Sequence, residues 1–138
     1  INLSNLFNEI KKNFRNENLI LINLEDSVIK GRMFALKRCF ENVIQNGLTY
    51  GKKVYVNIHK GSNRIIINIE DDGPGIPEEQ YKNVFKPFFR LDKSRNLNQS
   101  GVGLGLAIVE DIVNSHGGNV HLGKSKYNGL QVKVSLPF

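Results

Sequence analysis

Leu3, Leu6, Phe7, Ile10 and Phe14 recur every three or four positions, which predicts an amphipathic helix with Asn2 or Ser4 available to cap its start. Asn16-Glu17-Asn18 breaks that period. Leu19–Leu24 is then short, apolar and partly β-branched and predicts a strand, followed by a turn at Lys30-Gly31. From about Met33 to Tyr50 the helical period returns, with Leu36, Phe40, Val43 and Gly47 on one stripe and Cys39 and Ile44 beside it. Alternation over Val54–Ile58 and over Arg64–Glu70 predicts two strands joined by a turn at Gly61-Ser62-Asn63. A short helix is expected over Glu78–Val84, then an aromatic cluster at Phe85, Phe88 and Phe89. The polar stretch Leu91–Ser100 has no period and reads as a loop. Leu106, Val109, Ile112 and Val113 give the apolar face of a last helix from Gly105 to His116, and strands follow at Asn119–Leu122 and Leu130–Leu136, joined through Tyr127-Asn128-Gly129.

About five strands and three longer helices, with several strands linked as hairpins, predict an α+β fold: one mixed sheet with the helices packed on one face, in a single domain over 1–138. The chain is long enough for a real core, and its 40% hydrophobic and 23% charged residues are ordinary for a globular protein. It opens on Ile1, so a fragment of a larger protein is expected. No apolar run reaches the roughly 18–20 residues needed to span a bilayer. Cys39, the single cysteine, lies in an apolar helical stripe and is expected as buried filler, with no internal disulfide to form. The net charge is +6, yet the cations are scattered and not interleaved with aromatics, so no nucleic-acid partner is expected.

Three stretches carry candidate chemistry. Gly101-Val102-Gly103-Leu104-Gly105-Leu106 alternates glycines with apolar residues just before a helix, a pattern in which backbone N–H groups and the helix's positive end can cradle phosphate. The polar loop before it is a candidate lid. Asn42 and Asn46 are one turn apart on a helix edge and can face one ligand, and an asparagine carbonyl is a hard oxygen suited to Mg²⁺. Asp71-Asp72-Gly73-Pro74-Gly75-Ile76-Pro77 places an acidic pair at a strand end followed by a stiff loop. Adjacent carboxylates point apart along an extended strand, which argues for one of them at a pocket mouth and against a joint metal site. His116 ends a helix, where a positive charge is favourable, and Gly117 or Gly118 supplies the left-handed cap.

In order, ENVIQN (Glu41–Asn46), DDGPGIP (Asp71–Pro77), VFKPFFR (Val84–Arg90) and GVGLGLAIV (Gly101–Val109) resemble the N, first-glycine, F and second-glycine boxes of the ATP-binding catalytic domain of sensor histidine kinases, in the GHKL superfamily. The likeness extends over about residues 36–137 and is to the osmosensor-type kinases in particular, through EDDGPGIP and GLGLAIV. It implies the two-layer α/β sandwich called the Bergerat fold, with ATP and Mg²⁺ as cofactors. Asp71 would accept a hydrogen bond from the adenine amino group, and Gly73, Gly75 and Ile76 would pass close to the base. Asn46 would ligate Mg²⁺, Asn42 would support it, and Tyr50 and Phe88 would line the nucleotide. Gly101, Val102, Gly103, Leu104, Gly105 and Leu106 would surround the phosphates, and Arg90, Lys93 or Arg95 would reach the γ-phosphate, with Arg95 joining Asn42 and Asn46 in the catalytic set.

The resemblance also implies partners: a helical dimerisation domain of the same protein that carries the acceptor histidine, and a response regulator. It implies a cytoplasmic domain whose parent is anchored in the cell membrane, with no membrane contact of its own. His59, His116 and His121 do not lie in the family's acceptor motif. Hydrolysing members of the superfamily carry a general-base Glu where Asn42 stands, and Glu41 is rotated about 100° away, so transfer to a protein is favoured over hydrolysis. Two departures stand out. Thr49 occupies a position that is often basic, leaving Lys52 or a lid residue to compensate, and Gly47 replaces the usual Ala, an expected cost of about 1 kcal/mol to the helix. A serine kinase of the anti-sigma type and a non-catalytic nucleotide-binding module are the alternative readings.

Overall fold

The computed structural model describes residues 1–14, 18–86 and 105–138. Helix α1 (Leu3–Phe14) is followed by strand β1 (Leu19–Leu24), helix α2 (Met33–Tyr50), the hairpin β2 (Val54–Lys60) and β3 (Arg64–Asp71), helix α3 (Gly105–Ser115), and the hairpin β4 (Asn119–Lys124) and β5 (Leu130–Pro137). The strands form one sheet in the order β1-β2-β3-β5-β4. β1 and β2 are parallel and joined by the α2 crossover, while every other pair is antiparallel, so the sheet is mixed as expected.

Alternation decides the faces. Val54, Val56 and Ile58 of β2, Ile65, Ile67 and Ile69 of β3, and Val132, Val134 and Leu136 of β5 are buried with Leu3, Phe7 and Ile10 of α1, Leu36, Phe40 and Ile44 of α2, and Val109 and Val113 of α3. All three helices therefore cover one face, and the fold is a two-layer α/β sandwich. Phe7 and Phe40 meet at 4.7 Å between ring centroids and join α1 to α2, and each such buried side chain contributes about 1.5–3 kcal/mol. Cys39 is fully buried, and burial pushes its thiol up to about 12, which suits filler and not a nucleophile.

The local signals act as read. Asn2 caps α1, its Oδ1 accepting the Asn5 N–H at 3.0 Å. Gly117 takes the left-handed conformation (φ 77°) after α3, with the Gly118 N–H on Val113 O and the Gly117 N–H on Asn114 O, which is a Schellman cap. The helix expected over Glu78–Val84 is instead two 3₁₀ turns, Glu78–Gln80 and Asn83–Phe85. Pro77 and Pro87 bracket the segment, and only Val84 in these turns is buried, so it has no apolar stripe to hold a longer helix. At the sheet edge, the β1–β2 register shifts between Leu21 and Leu24, where Asn23 has a positive φ of 47°.

Candidate functional site

β3 delivers Asp71 and Asp72 to one end of the sheet, next to the C-terminal end of α2. They part as the strand geometry requires. Asp71 Oδ1 accepts the Gly73 N–H at 2.9 Å and, from the neighbouring strand, the Leu130 N–H at 3.1 Å. Asp72 Oδ1 turns to the α2–β2 connection and accepts the Lys52 and Lys53 N–H groups at 2.7 and 2.9 Å. Burial raises the Asp71 carboxyl above the usual Asp range, opposed by its two backbone donors. The Lys53 N–H holds the Asp72 carboxyl below that range, with the Lys52 N–H and charge adding to it. Asp72 clasps the α2–β2 connection, while Asp71 is tied to its own loop and to β5.

The glycines around Asp71 are explained by close approach. A Cβ on Gly73 would lie 2.9 Å from Tyr50 O at the end of α2, and Gly75 has a φ of 74°. A Cβ on Gly47 would lie 2.5 Å from Val54 Cγ2, 3.3 Å from Asp71 Cβ and 3.6 Å from Asp71 Oδ2. Gly47 therefore does more than weaken the helix: its bare Cα admits Val54 and leaves Oδ2, the Asp71 oxygen not tied to Gly73 and Leu130, beside an open wall.

Asn42 and Asn46 are half-buried on α2. Asn46 abuts the start of α3, where a Cβ on Gly105 would stand 3.1 Å from Asn46 Nδ2 and 3.6 Å from its Oδ1. The Asn46 amide thus stands at the N-terminus of α3, and its oxygen is a hard donor of the kind Mg²⁺ accepts. Tyr50 is exposed as the last residue of α2, Ile76 is half-buried in the loop after Asp71, and Leu106 is half-buried in the first turn of α3. Phe88, Arg90, Lys93, Arg95, Gly101, Val102, Gly103 and Leu104 lie outside the described residues, as does the loop expected over 91–100. Thr49 Oγ1 donates to Gln45 O at 2.8 Å, and Lys52 lies beside Asp72. Among the described residues no three His, Cys, Asp or Glu side chains form a metal cluster, and no helix is long and apolar enough to cross a membrane.

One contributor was legible only as a turn. The β4–β5 hairpin sits directly on Asp71: a Cβ on Gly129 would collide with Asp71 Oδ1. The hairpin is braced by Tyr127, which stacks on Tyr55 of β2 at 3.7 Å and 11°, and by the Lys126 N–H, 3.3 Å from Glu70 Oε1. The sole signal in the sequence is Asn128-Gly129, a turn pair, and nothing in it specifies a contact with β3.

Fold and site together define a nucleotide-binding domain of the histidine kinase-, DNA gyrase B- and HSP90-like ATPase family, whose pattern matches residues 31–138, and the chain belongs to that family. It is 38% identical over 107 residues to the sensor histidine kinase GtrS of Pseudomonas aeruginosa, a match covering 78% of this chain and 22% of that protein. It is also 38% identical over 108 residues to the sensor histidine kinase CpxA of Escherichia coli, covering 78% and 24%. The solved histidine kinase domain of the E. coli osmosensor EnvZ superposes with a TM-score of 0.75 at 34% identity, covering 99% of this chain and 86% of that one. The chain thus spans about a quarter of the length of the curated relatives it matches.

Proposed function

We propose that this domain binds Mg·ATP between the Asp71 end of β3, the Asn42–Asn46 edge of α2 and the start of α3, and donates the γ-phosphate to a histidine on a separate helical dimerisation domain of the same protein. A response regulator would take the phosphate next. The observation that carries this reading is the division of labour in Asp71: one oxygen is fixed by two backbone N–H groups, and the other takes no hydrogen bond among the described residues and lies near Gly47. A carboxylate so held accepts from the amino group of adenine and repels the carbonyl that guanine presents there. An unmatched buried polar group costs on the order of 1–3 kcal/mol, which sets the preference for ATP over GTP.

Asn46 Oδ1 would hold Mg²⁺, with Asn42 one turn earlier in support, and the chemistry such an ion would supply is neutralisation of phosphate charge. The N–H groups at the start of α3 face the same oxygens. Asn42 is an amide and cannot take a proton from water at neutral pH, so this edge positions and does not hydrolyse. Arg90, Lys93 and Arg95 are the candidate cations for the γ-phosphate. The chain's own histidines are engaged elsewhere or face away: His59 pairs with Glu25 at 2.9 Å, His116 bonds to Arg32 and Ile112, and His121 is on the edge strand β4.

Calorimetric titration with ATP and GTP, with and without Mg²⁺, tests the pocket, with Asp71→Asn alongside. The expected result is ATP binding that GTP does not reproduce and that the substitution removes. Labelled transfer to a supplied acceptor domain tests the chemistry. Label on serine, or none at all with binding intact, would turn the assignment toward a serine kinase or a regulatory module.

A further inference from the structure

The side-chain cluster that the nucleotide site leaves unexplained lies at its far end, where α3 stops and α2 begins. His116 spans the two helices. Its Nε2 accepts the Arg32 N–H at 3.0 Å, so the ring proton sits on Nδ1, which donates to Ile112 O at 2.7 Å. Arg32 Nη2 donates to Ser115 Oγ at 2.7 Å, and that hydroxyl donates in turn to Ile112 O at 2.8 Å. Gly31 makes the room, since a Cβ there would lie 2.8 Å from His116 Cδ2. The ring therefore acts as a two-ended connector between the Arg32 N–H and Ile112 O. Arg32 stands at the N-cap position of α2 and makes no side-chain cap of its own, so this latch is what anchors the start of that helix.

The two helices run antiparallel. Arg32 at the start of α2 meets His116 just past the end of α3, and Asn46 farther along α2 meets Gly105 at the start of α3. Gly105 and His116 are roughly 16 Å apart along the axis of a stiff helix, so an axial slip at one end is carried to the other. In catalytic constellations a misplacement of about 1 Å can cost about a hundredfold in rate, and a smaller effect is expected on binding.

We propose that His116 is a positioning residue that sets where the start of α3 stands against Asn46, and thereby tunes affinity for the phosphate part of the nucleotide without touching it. This rests on the nucleotide reading of the site given above. Adenine recognition should depend less on the latch, because the two backbone donors that hold Asp71, Gly73 and Leu130 of β5, belong to neither α2 nor α3.

The experiment compares adenosine with Mg·ATP by calorimetry on the wild type, His116→Ala, His116→Gln and Arg32→Pro, with amide exchange at residue 32 in the variants that keep that N–H. Proline removes the donated N–H, which the helix does not need at an N-cap position, together with the Arg32–Ser115 bond, and draws the backbone from φ −94° toward about −65°. His116→Ala and Arg32→Pro are expected to lose about tenfold in Mg·ATP affinity, hold adenosine affinity within about twofold, and in the alanine variant lose exchange protection at Arg32. His116→Gln, whose Oε1 can accept the same N–H, is expected to recover most of both. Equal losses for adenosine and Mg·ATP, or no loss for either, overturn the inference. A wild type that binds neither ligand overturns the nucleotide reading itself, an outcome separable from failure of the latch alone. If His116→Ala does not fold, the glutamine and proline variants carry the same comparison.

Discussion

Gly129 lies against Asp71 so closely that a single methyl group on its Cα would occupy the position of the carboxylate oxygen Oδ1. The pocket's key side chain is therefore shaped by a residue on a different hairpin. Gly129→Ala is expected to push the β4–β5 turn outward and break the Leu130–Asp71 bond, costing about 1–3 kcal/mol of stability. ATP affinity should fall at least tenfold, and thermal melts with calorimetry check both. Retention of wild-type affinity would show that the turn is not needed to hold Asp71.

The two acidic neighbours should both lose their contributions as pH falls, Asp71 at higher pH than an ordinary aspartate and Asp72 at lower pH. Burial raises the Asp71 carboxyl, and the adenine contact proposed for it requires the ionised form. ATP affinity should therefore decline on acidification while an ordinary aspartate is still fully charged. In Asp71→Asn that dependence should vanish with most of the affinity. A titration series from neutral pH down to about pH 4.5 reads this out.

Asp72 is lowered, so its contribution to stability is complete above the unfolded-state value and is lost as pH falls through the folded-state value. Asp72→Ala should destabilise the domain at neutral pH by about 1–3 kcal/mol through loss of the Lys52 and Lys53 bonds. The gap between wild type and variant should close in strong acid. Denaturant melts at neutral and acid pH measure the difference, and a constant gap would contradict the assignment.

Helix propensity alone says that Gly47→Ala stabilises α2 by about 1 kcal/mol. The structure predicts the reverse sign. Val54 is fully buried, its Cγ2 cannot swing away cheaply, and overpacking of this kind costs about 1–3 kcal/mol. The added methyl also presses on Asp71 Cβ, 3.3 Å away, and so on the placement of that carboxylate. Lower stability together with weaker ATP binding is the expected result of paired melts and titrations.

What a single sequence discloses here depends on the range of the cause. The period of Leu3 to Phe14, the alternation of β2 and β3, and the capping of α1 by Asn2 and of α3 by Gly117 are set within a few residues, and they are readable. So is the parting of Asp71 and Asp72, because it follows from the pleat of one strand. Gly47 was readable only as a departure from the family's pattern, since the reason for it is Val54, on another element. Gly129 was readable only as a turn, since its partner is 58 residues away on β3. His116 drew attention as a helix terminus, but its real partner, the Arg32 N–H, belongs to a helix that no local pattern connects to it. The expected helix over Glu78–Val84 failed for a local reason, its scarcity of buried apolar positions between two prolines.

The irregularity at Asn23 bears on how the molecule behaves in a crowd. β1 reads Leu-Ile-Leu-Ile-Asn-Leu and is an edge strand, so a straight version would offer other chains a sticky apolar border with free backbone donors and acceptors. The positive φ of Asn23 bends that border after Leu21. Replacing Asn23 with valine, which disfavours that conformation, should promote edge-to-edge association, visible as increased light scattering during refolding. On this reading one asparagine is what should keep the open edge of β1 from pairing with another chain.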